Sequence, residues 1–196
     1  MLLQSIEPMF RTVVVFGDAG FVLPASGGLA AALWAAGDRR AAVAFLSAIL
    51  FCGVMATLAK IFSMAFGPPP LHSPSGHAAL AAAFFLPLSA IFMRVREKRA
   101  GFLAAALCAC VAVLVAIGRV VEGAHTTLEA FAGFFIGLAS FALFVWLTPP
   151  RLAIGAPALA LYFAAAVALH AYTGLSIEVE GPLERIATRL ARLLSL

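Results

Sequence analysis

Long apolar runs, separated by short polar segments, fill most of this sequence. Six of them are long enough to cross the roughly 30 Å hydrocarbon core of a bilayer as helices, given some tilt. Their approximate bounds are 19–36, 41–64, 77–93, 101–118, 128–147 and 152–171. The pattern predicts an all-α, polytopic membrane helix bundle of about six transmembrane helices, with residues 1–196 as a single domain.

The first run contains residues that weaken helices. Pro24 and the Gly27-Gly28 pair interrupt it, and both residue types have low helix propensity. The sequence therefore leaves two possibilities for the start of this first helix. Either the chain is irregular from Val13 up to the helix, or residues 10–23 form an interfacial or re-entrant piece.

The last segment, residues 174–196, is amphipathic at helical spacing. One face carries Leu183, Ile186, Leu190 and Leu193. The opposite face carries Arg185, Arg189 and Arg192. This pattern is typical of a helix lying on the membrane surface, and a solvated terminal helix is the alternative.

The composition places most of the chain in lipid. Hydrophobic residues make up 64% and charged residues 11%, against roughly 45–50% and 25% in soluble domains. A mean hydropathy of +1.07 argues against a soluble enzyme. The net charge is +4, but the basic residues form no stripe that would follow a phosphate backbone, so no nucleic-acid partner is expected.

Seven of the thirteen Lys and Arg residues lie in three loops between the apolar runs, and these loops predict the topology. They contain Arg39 and Arg40, the cluster over residues 94–99, and Arg151. Short loops rich in Lys and Arg stay in the cytoplasm. We therefore expect loops 60–76 and 119–127, the N-terminal segment 1–18 and the tail on the outer side. The expected location is a bacterial-type inner (plasma) membrane, with the site facing the periplasm or the exterior.

The outward loops contain nearly all the residues with chemistry. They are Lys60, Ser75, Gly76, His77, Arg119, His125 and Glu129. Ionisable groups at membrane depth are costly, which makes these residues functional candidates. Asp18 is expected to be a helix cap or a loop residue, with the alternative that it faces the site.

Four of these residues suit the binding of a phosphate group. In phosphoryl transfer, positioning and charge neutralisation dominate. Ser75 and Gly76 precede an apolar helix, so their backbone N–H groups would point at an anion. Lys60 and Arg119 add full positive charges.

The remaining three residues suit the chemical step. His125 and Glu129 are spaced i,i+4 and share a helix face, so the carboxylate can hold one imidazole nitrogen while the other attacks phosphorus. His77, at the mouth of its own helix, is the candidate acid for the leaving group.

Pro-Ser-Gly-His at residues 74–77, followed by Arg119-x5-His125-x3-Glu129, resembles the type 2 phosphatidic acid phosphatase (PAP2) superfamily. The family's first motif would begin at Lys60. The resemblance implies that His125 forms a phosphohistidine, that Glu129 orients it and that His77 is the acid. It also implies that Lys60, Ser75, Gly76 and Arg119 bind phosphate, and that no metal and no cofactor take part.

Three positions depart from the family pattern. Gly67 stands in place of the Arg of the first motif, Gly118 in place of the Ser before Arg119, and Glu129 in place of Asp. The first change removes a bidentate phosphate donor. His72, in the same loop, is a candidate substitute.

The resemblance implies a metal-independent phosphatase acting on a lipid phosphate or pyrophosphate at the outer face. Undecaprenyl pyrophosphate, phosphatidylglycerol phosphate, phosphatidate and lipid A are the candidates. A lipid-linked phosphotransferase and a catalytically weak relative that binds or moves lipid phosphates are the alternatives. The oligomeric state is open.

Overall fold

The computed structural model describes residues 9–66, 72–95, 98–177 and 179–193, and these ranges contain eight helices. They are α1 (Met9–Gly17), α2 (Ala19–Ala35), α3 (Arg39–Phe66), α4 (Gly76–Arg94), α5 (Lys98–Val121), α6 (Thr127–Leu147), α7 (Ala156–Thr173) and α8 (Glu180–Leu193). Of the described helices, α3 to α7 are long and apolar enough to cross a membrane, and α1 with α2 forms a bent sixth candidate. The predicted all-α bundle of membrane helices is therefore confirmed.

The first apolar segment is helical on both sides of a bend at Asp18. Helices α1 and α2 differ in direction by 52°. The Asp18 carboxylate accepts the Gly20 N–H at 2.6 Å and so caps α2. The predicted irregular start from Val13 is wrong, because the chain is helical from Met9 onward and breaks only at this cap.

Helix α2 also continues through Pro24 and Gly27-Gly28, where the sequence predicted an interruption. The Tyr162 hydroxyl of α7 donates a hydrogen bond to Ala25 O. A Cβ on Gly28 would lie 2.9 Å from the Tyr162 ring. The small residues therefore let α7 pack closely on α2, and neighbouring helices support proline-containing helices in membrane bundles.

Helix α7 begins at Ala156, later than the predicted residue 152. The preceding residues are irregular because the Asp38 carboxylate accepts the N–H groups of Ala153 and Ile154, each at 2.9 Å. The loops before α3 and before α7, both predicted on the cytoplasmic side, thus meet at one end of the bundle.

Helix α4 occupies the centre of the bundle, between α3, α5 and α6. Most of its Ala and Phe side chains are almost completely buried. Helix α6 approaches it at Gly133 and Gly137, where an added Cβ would collide with Ser75 O and with the Ala82 side chain. Such close approach of small residues is what holds membrane helices together.

The tail helix α8 packs chiefly against α3. Leu183 and Ala187 are buried in this contact, whereas Ile186 and Leu193 stay exposed. Part of the predicted apolar face of α8 therefore packs against the bundle, and the rest of that face is exposed. Its placement on a membrane surface stays a prediction.

The contact between α6 and the start of α4 predicts the effect of Gly133→Ala. The added methyl group would collide with Ser75 O, and overpacking of this kind costs about 1–3 kcal/mol. We expect a lower midpoint of thermal unfolding in detergent than for the matched variant Gly53→Ala, whose Cβ would meet no atom within 4 Å. Equal midpoints for the two variants would contradict this packing.

Candidate active site

Glu129 is the central hydrogen-bond acceptor at the other end of the bundle. Its Oε1 accepts the backbone N–H groups of His72 at 3.0 Å and Ser73 at 2.8 Å, in the loop before α4. Its Oε2 accepts the N–H of Thr126 at 2.9 Å, and the Thr126 hydroxyl accepts the N–H of Glu129 at 3.3 Å. This reciprocal capping box fixes the start of α6. One buried carboxylate therefore fastens the loop before α4 to α6.

His125 faces the same carboxylate. Its Nδ1 lies 3.3 Å from Glu129 Oε2, and the His125 side chain is only 7% exposed. Because an ionised carboxylate can only accept, Nδ1 carries the ring proton and Nε2 keeps a free lone pair. The predicted contact between these two residues is present, and it leaves one imidazole nitrogen available for attack.

Burial and positive charge lower the pKa of His125. Removal from water has the largest effect, and the charges of Lys60 and Arg119 act in the same direction, whereas Glu180 and Glu129 oppose them. A pKa below the ordinary value of about 6.5 keeps the ring neutral at pH 7. The neutral ring is the nucleophilic form.

Arg119 lies beside His125 at the end of α5. Its Nη1 donates to Glu122 Oε2 at 3.2 Å, and its O accepts the N–H of His125 at 3.1 Å, which folds the α5–α6 turn back onto it. Its Nε is buried and has no partner among the described residues. An unpaired buried N–H is costly, so an anion next to it would be stabilised.

Lys60 supplies the second positive charge. It is 6% exposed, and its Nζ donates to Ser73 Oγ at 2.9 Å and to Glu180 Oε1 at 2.6 Å. Glu180 is the first residue of α8. The buried ammonium group is therefore paired with a carboxylate from the tail.

The start of α4 lies next to Lys60. Ser75 caps this helix: its Oγ accepts the N–H of Ala78 at 3.4 Å, and its N–H donates to Glu129 O at 2.9 Å. A Cβ on Gly76 would lie 3.4 Å from Lys60 Cε, so the glycine leaves room for the lysine chain. The positive end of the α4 dipole and the lysine thus approach the same place.

His77 follows in the first turn of α4 and faces Asp18. Its Nε2 lies 3.7 Å from Asp18 Oδ2, and the same carboxylate oxygen accepts the Ser176 hydroxyl at 3.0 Å. Asp18 therefore caps α2 and also faces the site, which combines the two alternatives that the sequence left open.

The structure thus brings all the predicted binding and catalytic residues to one end of the bundle. They are Lys60, Ser75, Gly76, His77, Arg119, His125 and Glu129. The PAP2 superfamily matches residues 57–153, a stretch that contains every one of them. This chain belongs to the PAP2 superfamily. Comparison with curated proteins and with solved structures gave no match.

Membership of the PAP2 superfamily supports phosphatase-type chemistry for this membrane protein. Gly118 lies close against α1. A Cβ there would lie 2.7 Å from Val14 Cγ1 and 3.1 Å from Phe10 Cδ1. Helix α1 therefore fills the space that a side chain at position 118 would need.

Gly67, the departure in the first motif, lies outside the described residues. The side chain of His72 is exposed, and the contact described for this residue is the one from its backbone N–H to Glu129. Compensation for Gly67 by His72 stays a prediction.

The polar residues of the cluster that were missed from the sequence include Ser73, Glu122 and Glu180. The first two lie next to PAP2 motifs and could have been weighed with them. Glu180 is 120 residues from its partner Lys60 and lies beyond the stretch that the superfamily matches. No local pattern indicates that contact.

The hydrogen bonds of Glu129 predict that Glu129→Asp, the change to the residue that the PAP2 resemblance led us to expect, destabilises this chain. Removing one methylene withdraws the carboxylate by about 1.5 Å, which breaks bonds that now measure 2.8 to 3.0 Å. We expect a loss of about 1–3 kcal/mol, seen as a lower midpoint of thermal unfolding in detergent. Glu184→Asp, on the exposed side of α8, is the control. An unchanged midpoint for Glu129→Asp would contradict this role.

Proposed function

We propose that this PAP2 protein hydrolyses a lipid phosphate or pyrophosphate at the outer face of the membrane, through a phosphohistidine on His125. The observation that carries the proposal is the pairing of the buried His125 side chain with Glu129 next to two cations, Lys60 and Arg119. A nucleophile held by a carboxylate, beside fixed positive charge, is the arrangement that covalent phosphoryl transfer needs.

In the first step Nε2 of His125 attacks phosphorus, and the bond from phosphorus to the leaving oxygen breaks. Asp18, whose Oδ2 lies 3.7 Å from His77 Nε2, and the negative charge of the bound phosphate stabilise protonated His77, which gives its proton to that oxygen. Lys60, Arg119 and the N–H groups at the start of α4 hold the other phosphate oxygens, where negative charge accumulates. Glu129 stabilises the positive charge that develops on the His125 ring.

In the second step water attacks the phosphohistidine. His77, now unprotonated, takes a proton from that water as the phosphorus–nitrogen bond breaks, so inorganic phosphate leaves and His125 regains its lone pair. No metal or cofactor enters either step. Both histidines return to their starting protonation states.

An apolar groove beside the site supports a lipid substrate. It has a volume of about 440 Å³, runs between α5 and α6, and reaches Val121 and Thr127, on either side of the turn that contains His125. Its lining includes Val113, Ala116, Ile117, Val120, Phe131 and Phe134. A hydrocarbon chain in this groove would place its phosphate at the site from within the bilayer. Undecaprenyl pyrophosphate, phosphatidylglycerol phosphate, phosphatidate and lipid A all have such chains.

The test is phosphate release by purified protein from a panel of these four lipids, beside water-soluble phosphate esters. We expect turnover of at least one lipid and a loss of at least about 1000-fold in His125→Ala, because the nucleophile is removed. His170→Gln, on α7 against Phe21, is the matched control and should retain activity. A pulse of radiolabelled substrate should leave acid-labile label on His125.

Undiminished turnover in His125→Ala, or label on another residue, would refute the mechanism. Preference for the water-soluble esters over every lipid would refute the substrate class. Transfer of the label to a sugar or lipid hydroxyl, without free phosphate, would identify a phosphotransferase instead.

A further inference from the structure

The position beside Lys60 is occupied by a carboxylate of the chain itself. Glu180 Oε1 lies 2.6 Å from Lys60 Nζ and 3.1 Å from Ser73 Oγ. Lys60 Nζ and Ser73 Oγ also bond each other at 2.9 Å. An ammonium group and a hydroxyl that converge on one oxygen form a site for a phosphate oxygen as readily as for a carboxylate oxygen.

Two other carboxylates of the cluster are held by backbone N–H groups: Glu129 binds three of them, and Asp18 caps α2. Glu122 pairs with Nη1 of Arg119, whose Nε has no partner among the described residues and stays available to a phosphate oxygen. Glu180 differs, because its described partners are Lys60 and Ser73. Its side chain is 49% exposed, whereas that of Lys60 is 8% exposed.

The balance of charges in the cluster makes it unfavourable for Glu180 and a phosphate group to bind next to Lys60 at the same time. The described cluster contains two full cations, Lys60 and Arg119, against four carboxylates, those of Asp18, Glu122, Glu129 and Glu180. A phosphate next to Lys60 would bring further negative charge within a few ångströms of Glu180. Like charges at such distances repel strongly where water is excluded.

The attachment of α8 is compatible with release of this carboxylate. The helix packs chiefly against one neighbour, α3, and its buried contacts include only Leu183 and Ala187 among the described residues. Ile186 and Leu193 are exposed apolar residues on the same helix. A helix held by so few buried side chains can shift at low cost.

We propose that Glu180 occupies the place of a substrate phosphate oxygen and leaves it when phosphate binds, so that α8 is a displaceable cover over the site. The proposal rests on the proposed function, which it deepens. It also assigns Ser73 as a phosphate-binding residue that acts together with Lys60. The tail then weakens the binding of every phosphate ligand by internal competition.

The test is the affinity of the purified full chain for inorganic phosphate, measured by calorimetry in detergent. Glu180→Gln keeps the size of the side chain and removes its charge, and Glu184→Gln makes the same charge change one turn further along α8. We expect Glu180→Gln to bind phosphate about tenfold more tightly than the unaltered protein, and Glu184→Gln to remain within about twofold. Glu180→Ala should show the same gain, and thermal unfolding confirms that each variant is folded.

An unchanged or weaker phosphate affinity in both Glu180 variants overturns the inference, and so does an equal gain in Glu184→Gln. Absence of measurable phosphate binding in Glu180→Gln overturns it as well. The readout does not depend on turnover. Tighter phosphate binding without hydrolysis of any lipid would contradict the proposed function but support the inference about Glu180. Hydrolysis of a lipid without a gain in phosphate affinity would support the proposed function but contradict the inference.

Discussion

The site depends on one buried carboxylate, that of Glu129. It holds the loop before α4 through two backbone N–H groups, closes the capping box at the start of α6 and faces the ring of His125. A carboxylate can accept several hydrogen bonds at once, and here they connect the loop before α4 with the start of α6 and with the ring of His125. Without it, the loop with Ser73, the start of α4 and the histidine would have no common anchor.

Close backbone approach makes this arrangement possible. Gly133 lets α6 lie directly against Ser75, Gly17 lets α1 reach the backbone of His77, and Gly76 leaves space for the Lys60 chain. In lipid, helix association relies on shape fit and hydrogen bonds, because burial of apolar surface gives little gain. The small residues of this PAP2 chain therefore determine how near its charged groups come to one another.

The sequence predicts those parts of the structure that depend on local pattern. The apolar runs predict the bounds of α3 to α6 to within a few residues. The motifs predict the site residue Lys60, the start of α4 and the pairing of His125 with Glu129. The course of α2 through Pro24 escaped prediction, because Tyr162 and α7 support it from 137 residues away. Glu180 escaped for the same reason. Contacts between distant segments override local propensity and leave no local sign.

We propose that the side chains at this end of the bundle surround one phosphate group, with His125 as the nucleophile. Orthovanadate imitates the five-coordinate phosphorus of the transition state, and such analogues bind where the enzyme is complementary to it. The most direct measurement is therefore an experimental structure of the protein with vanadate. We expect vanadium bonded to Nε2 of His125, with Lys60 and Arg119 against its oxygens. Vanadate bound elsewhere, or the His125 ring turned away from it, would contradict the account.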